Sequence, residues 1–366
     1  MSDRYEARRD KLRPKLNAQV VDALLVSGET NVSWLTGFSG DSSWLVLGGE
    51  RCFLISDGRY ATQIAEECPG LDVVIRKPEA KLHEAAAKAI WRAGVRRLGI
   101  ETHVLTFEQV QELQDALRRC ALVPLPGAVE ELRAVKDDDE IAQIREAVEL
   151  AIEGFLHLRR SLTGEMSELV IARELLQQLW KLGAAGTSFE TIVAADDRAA
   201  LAHYRPSRNP IGNCSWLLVD WGAEMRSGYK SDLTRMLVWQ KPSKKLQRIY
   251  DIVLEAQRRA IDAIRPGVTC ETVDRAAREH IASRGYGAKF GHGLGHGIGL
   301  DIHEMPRLNP NSKTVLAAGM IVTVEPGIYL PGWGGVRIED DVCVTRDGCE
   351  VLSQSLPKDF ESTLVD

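Results

Sequence analysis

The sequence predicts two domains, an α/β domain over residues 1–130 and an α+β domain over residues 131–366. First, the chain has 366 residues, more than a typical single domain. Second, strand-like and helix-like segments alternate over the first 130 residues, which is typical of a layered α/β domain. Third, the remainder shows two amphipathic helices followed by a β-hairpin, and then repeats that order. The second domain is therefore predicted to contain two related halves.

The elements of the first domain follow from local patterns. Short apolar runs predict strands in VDALLVSG, WLVLGG, RCFLISD, LDVVIR and RRLGIE, and helices are predicted in ATQIAEEC, KLHEAAAKAIWRAG and TFEQVQELQDALRR. The glycine-containing stretch GFSGDSSWLVLGG has neither the Walker spacing nor the G-x-G-x-x-G spacing. We therefore predict no nucleotide-phosphate site and no catalytic constellation in this domain.

The second domain is predicted to begin with a connection and a helix. Pro124 and Pro126 interrupt regular structure, and the acidic residues 137–139 suit a helix N-terminus. Apolar residues at three- to four-residue spacing predict the following helix, and three further helices are predicted in SELVIARELLQQLWKLG, LQRIYDIVLEAQRRAIDAI and TVDRAAREHIASRG.

Composition excludes several functional classes. The hydrophobic content of 44% and charged content of 27% are those of a soluble globular protein, and a net charge of -6 predicts no nucleic-acid partner. The charged N-terminus is no signal peptide, and no apolar run reaches the length needed to span a bilayer. The seven scattered cysteines suit reduced thiols, and we expect no disulfide between Cys343 and Cys349. We predict a cytoplasmic protein without a membrane partner.

Four acids stand at similar places in the two predicted hairpins. Asp220 closes the run WLLV and Asp232 lies on the returning strand, while Glu325 closes IVTV and Glu339 lies on its returning strand. Burying an uncompensated carboxylate costs several kcal/mol. One such acid could cap backbone amides or pair with an arginine such as Arg235 or Arg337. Four acids in two similar frames instead indicate a shared cation.

Histidines lie between the two hairpins. GHGLGHGIGLDIHE contains His292, His296 and His303, and four carboxylates with one imidazole suit a pair of divalent ions such as Mn, Co, Fe or Zn. Two-metal hydrolysis is the chemistry that such a site serves. The predicted metal ligands are Asp220, Asp232, His296, Glu325 and Glu339. His203 and His303 are candidates for proton handling, although an isolated histidine is more commonly structural.

The motifs VDWG, GYKSDLTR, GHGIGLDIHE, VEPGIY and RIEDD resemble the metallopeptidase family of prolidase, aminopeptidase P, methionine aminopeptidase and creatinase, with its pita-bread fold. TNVSWLTGF and ISDGRY are similar to the amino-terminal domain of the prolidase and aminopeptidase P branch. The resemblance implies that Asp232 and Glu339 bridge two metals and that Asp220 completes one site. His296 and Glu325 would complete the other, with Glu325 also assisting proton transfer.

The resemblance also implies substrate contacts. His203 and His303 match histidines that hold the scissile carbonyl and stabilise the tetrahedral intermediate. Arg307 matches a position that approaches the terminal carboxylate of the substrate, although a surface ion pair is an equal alternative. His292 and Arg337 lie in the same motifs and are predicted to support the ligands and the substrate.

The chain departs from the family pattern in two places. Asp220 and Asp232 are twelve residues apart where the family usually has eleven, which allows for a bulge in the hairpin. The stretch ADDRAALAH before His203 lacks the proline that the family usually has there.

The expected activity is metal-dependent hydrolysis of the bond between a residue Xaa and proline in short peptides. Arg307 favours an Xaa-Pro dipeptidase, and an Xaa-Pro aminopeptidase acting on longer peptides is the alternative. A creatinase-like or non-peptidase relative is a more remote alternative, because the five ligand residues are all present. The resemblance implies manganese as the metal and a homodimer as the assembly. Methionine aminopeptidase is disfavoured, because that branch of the family usually lacks the long amino-terminal domain.

Overall fold

The structure is a computed structural model that describes residues 2–49, 51–212, 214–239 and 242–365. The chain divides into two compact units, residues 1–132 and residues 133–366. Among the described helices, none has both the length and the apolarity required to cross a membrane. The α/β and α+β classes predicted for the two parts are confirmed by their elements.

The first unit is an α/β layer. Its helices and strands, in chain order, are α1 (Ser2–Ala18), β1 (Ala23–Val26), α2 (Glu29–Thr36), β2 (Trp44–Gly48), β3 (Cys52–Asp57), α3 (Ala61–Glu67), β4 (Asp72–Arg76), α4 (Leu82–Arg92), β5 (Arg97–Ile100), α5 (Phe107–Ala116), β6 (Ala121–Pro124) and α6 (Glu130–Arg133). The strands form one sheet in the order β4-β3-β2-β1-β5-β6, in which β2 runs antiparallel to β1 and β3. Every strand and helix predicted in this part is present.

Helix α1 is an element that the sequence patterns did not predict. Its apolar residues are too few to show helical periodicity, and only Leu12 and Leu16 are fully buried leucines. Its inner face is partly polar instead, because Arg8 is buried and donates to the carbonyl oxygen of Trp34 at 3.0 Å. The Arg8 guanidinium also lies 4.6 Å from the centroid of the Trp34 ring, a cation–π contact.

The second unit combines paired helices with antiparallel strands. Its elements are α7 (Asp138–Ser161), α8 (Glu168–Leu182), β7 (Gly186–Thr187), β8 (Ile192–Ala195), β9 (Trp216–Trp221), β10 (Ala223–Glu224), β11 (Leu233–Val238), α9 (Lys244–Ala263), α10 (Cys270–Ser283), β12 (Gly295–Gly297), β13 (Glu304–Leu308), β14 (Ile321–Val324), β15 (Gly327–Leu330), β16 (Gly334–Arg337), β17 (Asp340–Val344) and β18 (Cys349–Val351). The predicted N-cap of α7 is present, since Asp137 accepts from the Glu140 amide at 2.9 Å. The predicted order of two helices and a hairpin, twice over, is confirmed.

Side-chain alternation in β9 places helices on both faces of the central strands. Leu217 and Val219 pack in the cluster formed with α7 and α8. Trp216 and Leu218 point the other way and pack in the cluster formed with α9 and α10. Since alternate residues of a strand share a face, Asp220 continues the face of Trp216 and Leu218. The strand is buried along its whole length, and its acid is buried with it.

The two halves meet at the returning strands of the hairpins. Strands β9 and β11 pair antiparallel with Thr234 opposite Asp220, and β14 pairs with β17 with Val324 opposite Asp340. A bridge between Thr234 and Glu339 joins the halves, and the Glu339 amide donates to the Thr234 carbonyl oxygen at 3.2 Å. Acids separated by more than a hundred residues are thereby brought to one place.

Candidate metal centre

One cavity of about 590 Å³ in the second unit collects the side chains that the sequence singled out. Every predicted site residue lines it: Asp220, Asp232, His296, Glu325, Glu339, His203, His303, Arg307, His292 and Arg337. The structure therefore brings together all of the predicted ligands and substrate contacts, whose individual roles stay predictions. Tyr204, Ile302 and Tyr329 also line the cavity and were not predicted.

Three of the predicted ligands form a compact group at the bottom of this cavity. Asp232, His296 and Glu339 each present an atom suited to a metal, and these atoms lie within 4.8 Å of one another. Glu325 joins through His296, whose Nε2 lies 3.5 Å from Glu325 Oε1 and 3.6 Å from Asp232 Oδ2. The group draws on both hairpins and on β12 between them.

The protonation of His296 directs a lone pair toward the acids. Its Nδ1 lies 3.1 Å from the carbonyl oxygen of Gly297, which can only accept, so Nδ1 carries the proton. Burial, followed by the nearby charge of His303, lowers the pKa of His296 to about 3. The ring is therefore neutral at neutral pH, and its unprotonated Nε2 faces two carboxylates. The Nε2 lone pair is therefore available to a metal ion.

Asp220 has a different partner. Its carboxylate forms an ion pair with the buried guanidinium of Arg337, which also donates to Thr234 Oγ1 at 3.1 Å and to Tyr329 Oη at 2.9 Å. The alternative of an arginine partner is thus correct for Asp220, but the pair leaves Asp220 Oδ1 buried without a hydrogen-bond partner among the described residues. This oxygen remains available to a further cation.

Arg235, the other arginine considered, serves the main chain around Glu339. It donates from Nη1 to the Glu339 carbonyl oxygen at 2.6 Å and from Nη2 to Asp340 Oδ1 at 2.7 Å. Asp340 is in turn held by Ser353, which donates to it at 2.6 Å. Arg235 therefore fixes the backbone that presents Glu339 and leaves the Glu339 carboxylate to the cavity.

Two threonines that sequence reasoning missed orient the ligands. Thr234 Oγ1 donates to Glu339 Oε2 at 2.7 Å, and Thr323 Oγ1 accepts from the His296 amide at 3.1 Å. Both are fully buried in otherwise apolar strands, where a hydroxyl needs a partner. A polar residue inside the runs LTRMLV and IVTV was the available signal. The third missed residue, Asp341, accepts from the Asp232 amide at 2.9 Å.

The raised pKa values of the four acids indicate that nearby positive charge does not compensate for their burial. Burial, reinforced by the neighbouring acids, raises the pKa values of Asp232 and Glu339 well above those of ordinary carboxyl groups. Burial raises the pKa of Glu325 to about 8 and also raises that of Asp220, although Arg337 opposes both shifts. Among the described residues, four acids with one arginine ion pair, an unprotonated imidazole nitrogen and a carboxylate oxygen without a hydrogen-bond partner fit divalent ions with hard ligands.

The cavity wall carries the predicted substrate-side groups. The rings of His303 and His296 lie edge to face with centroids 4.4 Å apart, and burial is the main cause of a lowered pKa at His303. A neutral His303 still offers one N–H donor. His203 is exposed at the mouth of the cavity.

His292 is tied to the wall instead of to the acids. Its Nδ1 donates to the Gly293 carbonyl oxygen at 2.7 Å, so its Nε2 accepts from the hydroxyl of Tyr329 at 2.9 Å. Tyr329 also receives the Arg337 bond described above. His292 is therefore linked to Arg337 through the hydroxyl of Tyr329, and the supporting role of both residues stays a prediction.

Arg307 is an exposed arginine of the cavity wall. It lies on β13 directly across from His296 on β12. Within the part of the chain that the structure describes, no carboxylate forms an ion pair with it. The predicted surface ion pair is therefore not observed among these residues, and the guanidinium faces the cavity.

Two glycines allow the ligand strands to approach each other. A Cβ at Gly222 would lie 1.8 Å from the Ser231 carbonyl oxygen, and a Cβ at Gly295 would lie 2.0 Å from that of Thr323. The first contact concerns the lengthened hairpin of Asp220 and Asp232. Its arms pair in one continuous register without a bulge, from Val238 opposite Trp216 to Lys230 opposite Glu224. The additional residue is accommodated in the tip.

A buried carboxylate–imidazole group at the junction of two related halves defines a metal-dependent hydrolase. The chain belongs to metallopeptidase family M24, which matches residues 142–346, and residues 8–135 match the creatinase/prolidase N-terminal domain. The family resemblance, the fold and the class of enzyme predicted from the motifs are confirmed.

Relatives match the chain along almost its entire length. The uncharacterized peptidase YqhT of Bacillus subtilis is 36% identical over 96% of this chain and 98% of its own. The structure of an Xaa-Pro dipeptidase from Bacillus anthracis has a TM-score of 0.93 at 38% identity, covering 97% of this chain and 99% of that one. The structure of an X-Pro aminopeptidase from Thermotoga maritima has a TM-score of 0.86 at 32% identity, covering 96% and 99%.

Proposed function

We propose that the protein is a dinuclear-metal Xaa-Pro dipeptidase. The observation that carries this proposal is Arg307, an exposed guanidinium without a carboxylate partner among the described residues, on the same cavity as the acid cluster. A dipeptide presents its terminal carboxylate one residue beyond the bond that is cut. A planar guanidinium binds such a carboxylate in a bidentate manner. Similarity to an Xaa-Pro dipeptidase supports the same substrate class.

The metal ligands in this proposal are Asp220, Asp232, His296, Glu325 and Glu339. When bound, two divalent ions would polarise the scissile carbonyl and lower the pKa of a water molecule. Manganese is the proposed metal, and cobalt, iron or zinc would suit the same donors.

The remaining groups position the substrate and handle protons. The neutral His303 donates its N–H to the carbonyl oxygen as negative charge develops there, and His203 does the same from the mouth. Glu325 accepts the proton of the attacking water and delivers it to the proline nitrogen. This delivery matters because a proline nitrogen has no hydrogen of its own and must be protonated to leave.

An Xaa-Pro aminopeptidase is the second candidate. It is supported by the similarity to the X-Pro aminopeptidase of Thermotoga maritima, which covers 96% of this chain. An aminopeptidase must leave room for residues after proline, where Arg307 stands in the dipeptidase proposal. The two candidates therefore assign opposite consequences to the same side chain.

The test is an assay of the manganese-loaded protein on an Xaa-Pro dipeptide, a tripeptide with proline second, and an Xaa-Ala dipeptide as control. Cleavage of the Xaa-Pro dipeptide alone supports the proposal. Cleavage of the tripeptide at a comparable rate refutes the dipeptidase and supports the aminopeptidase. Cleavage of neither, with bound metal confirmed by elemental analysis, removes the proline specificity altogether.

Metal removal separates the proposal from a metal-independent relative of the same fold. Chelation should abolish cleavage and lower the melting temperature, because the clustered acids then repel one another. Activity and melting temperature that are both indifferent to the chelator would refute the metal site. We also propose a homodimer in the cytoplasm, and light scattering of the purified protein tests the assembly.

A further inference from the structure

A second cluster of buried charges lies behind the cavity wall, outside the acid group. Arg133 and Lys136 both donate to Glu304, Arg133 Nη2 to Oε2 at 2.5 Å and Lys136 Nζ to Oε1 at 2.6 Å. The side chains of Arg133, Lys136 and Glu304 are exposed by only 3%, 1% and 4%. Both oxygens of one buried carboxylate are thus held by cations that begin the second unit.

Glu304 lies on the back of the strand that carries the substrate-side groups. Residues of β13 alternate in burial, with Glu304, Pro306 and Leu308 inside and Met305 and Arg307 more exposed. The register of β13 against β12 shifts between Glu304 and Arg307, and their contacts place them on different sides, since Glu304 binds the two buried cations and Arg307 lines the cavity. The same strand pairs with β12, which presents His296.

Arg133 also holds the chain on the other side of His303. Arg133 Nη2 donates to Asp301 Oδ2 at 2.7 Å. The same guanidinium therefore binds Asp301, two residues before His303, and Glu304, the residue after it. Gly299 lies close over the cluster, since a Cβ there would be 2.3 Å from Glu304 Oε1. The loop leading to His303 is therefore held against the cluster at both ends.

The cations are themselves fixed to the ligand strands. The Lys136 amide donates to the Gly319 carbonyl oxygen at 2.9 Å, and Val135 forms a bridge with Met320, immediately before strand β14. Strand β14 leads directly to Glu325. The cluster thus ties the segment carrying His303 and Arg307 to the strand that presents a predicted metal ligand.

We propose that Arg133 and Lys136 are positioning residues that, through Glu304 and Asp301, set the placement of His303 and Arg307 relative to the metal ligands. The proposal rests on the function proposed above, because it concerns how that site holds the substrate carboxylate. A displacement of about 1 Å can lower turnover on the order of 100-fold. Glu304 follows Arg133 by 171 residues and Lys136 by 168 residues in the chain, so only the folded structure reveals that they are in contact.

The test compares Lys136→Met with Arg145→Met, which breaks a matched surface ion pair with Glu350 in the same unit. Each metal-loaded variant is assayed on an Xaa-Pro dipeptide and on the same dipeptide with an amidated C-terminus. Lys136→Met should lower kcat/KM on the order of 10- to 100-fold for the free carboxylate and less for the amide. Lys136→Arg, which keeps the charge, should restore the preference, and Arg145→Met should leave it unchanged.

Hydrogen exchange measured by mass spectrometry gives a readout that needs no substrate. Faster exchange confined to residues 299–308 is expected in Lys136→Met, and in Asp301→Asn as a milder variant should Lys136→Met fail to fold. An equal loss on both substrates, or exchange unchanged in that segment, would overturn the positioning role. A wild-type protein inactive on the dipeptide would instead refute the proposed function, and the exchange result alone would then decide the positioning proposal.

Discussion

Replacing Arg337 with methionine removes the guanidinium that forms an ion pair with Asp220. Arg337 is 3% exposed, and its loss leaves the buried Asp220 carboxylate without its cation. Removing one partner of a buried ion pair costs about 3–5 kcal/mol. A domain of this size loses about 2–4 °C in melting temperature per kcal/mol, so we expect a fall of about 6–20 °C in the metal-free protein.

Bound divalent ions should reduce this defect, because their charges replace part of the missing one. The assay is differential scanning calorimetry of wild type, Arg337→Met and the surface control Arg145→Met, each with and without manganese. Arg145→Met should cost less than about 1 kcal/mol in both conditions. An Arg337→Met defect of equal size with and without metal would refute the view that arginine and metals neutralise the same acids.

The defect should also depend on pH. Burial raises the pKa of Asp220 and Arg337 opposes that rise, so the variant shifts the Asp220 pKa further upward. A folded-state pKa above the unfolded value stabilises the fold in acid, and this contribution is lost as pH rises through the folded-state pKa. The metal-free Arg337→Met protein should therefore approach wild type in acid and diverge from it as pH rises. The opposite trend would contradict the assignment.

Three further predictions concern single features of the site. In the metal-free protein, Glu325 with a pKa of about 8 should contribute a fall of about 1.4 kcal/mol per pH unit to the free energy of unfolding between its unfolded-state pKa and about 8. The other acids with raised pKa values steepen this slope, and calorimetry with saturating manganese should show a much weaker one. Gly222→Ala places a Cβ 1.8 Å from the Ser231 carbonyl oxygen and should lower the bound-metal count measured by elemental analysis, whereas Gly291→Ala, which meets nothing within 4 Å, should not. Arg307→Met should lower kcat/KM for an Xaa-Pro dipeptide by about 10- to 100-fold, because it removes a charged hydrogen bond of about 1.5–3 kcal/mol. The value for the amidated dipeptide should be nearly unaffected. Equal losses on both substrates would show that Arg307 has only a structural role.

The parts of the site that could be predicted from sequence are those that local patterns determine. Asp220 and Glu325 stand at the ends of apolar runs, and those continuous runs predicted both the strands and the burial of the acids. The lengthened hairpin shows the limit of this reasoning. Sequence allowed a bulge, yet the arms pair in one register, because a three-residue tip closed by Gly228 at φ +86° accommodates the additional residue.

The supporting residues could not be predicted because their partners are remote in the chain. Thr234 bonds Glu339 across 105 positions, and Tyr329 matters only because Arg337 and His292 both reach its hydroxyl. Helix α1 was missed for a different reason. Its buried face contains an arginine, Arg8, packed against Trp34, and therefore lacks the periodic apolar pattern by which a helix is recognised in a sequence.

The two interpretations that sequence left open for the acids, arginine pairing and metal binding, do not exclude each other. Arg337 forms its ion pair with Asp220, and among the described residues no arginine or lysine forms an ion pair with Asp232, Glu325 or Glu339. Raised pKa values at Asp232 and Glu339 are the expected consequence, because a buried acid without a cation gains a proton instead. A protonated carboxyl group can donate to the unprotonated Nε2 of His296, but each proton neutralises one charge, whereas a divalent ion neutralises two. A carboxylate cluster that keeps one arginine and one neutral imidazole therefore suits divalent ions, and the ion pair between Arg337 and Asp220 is compatible with the metal site proposed above.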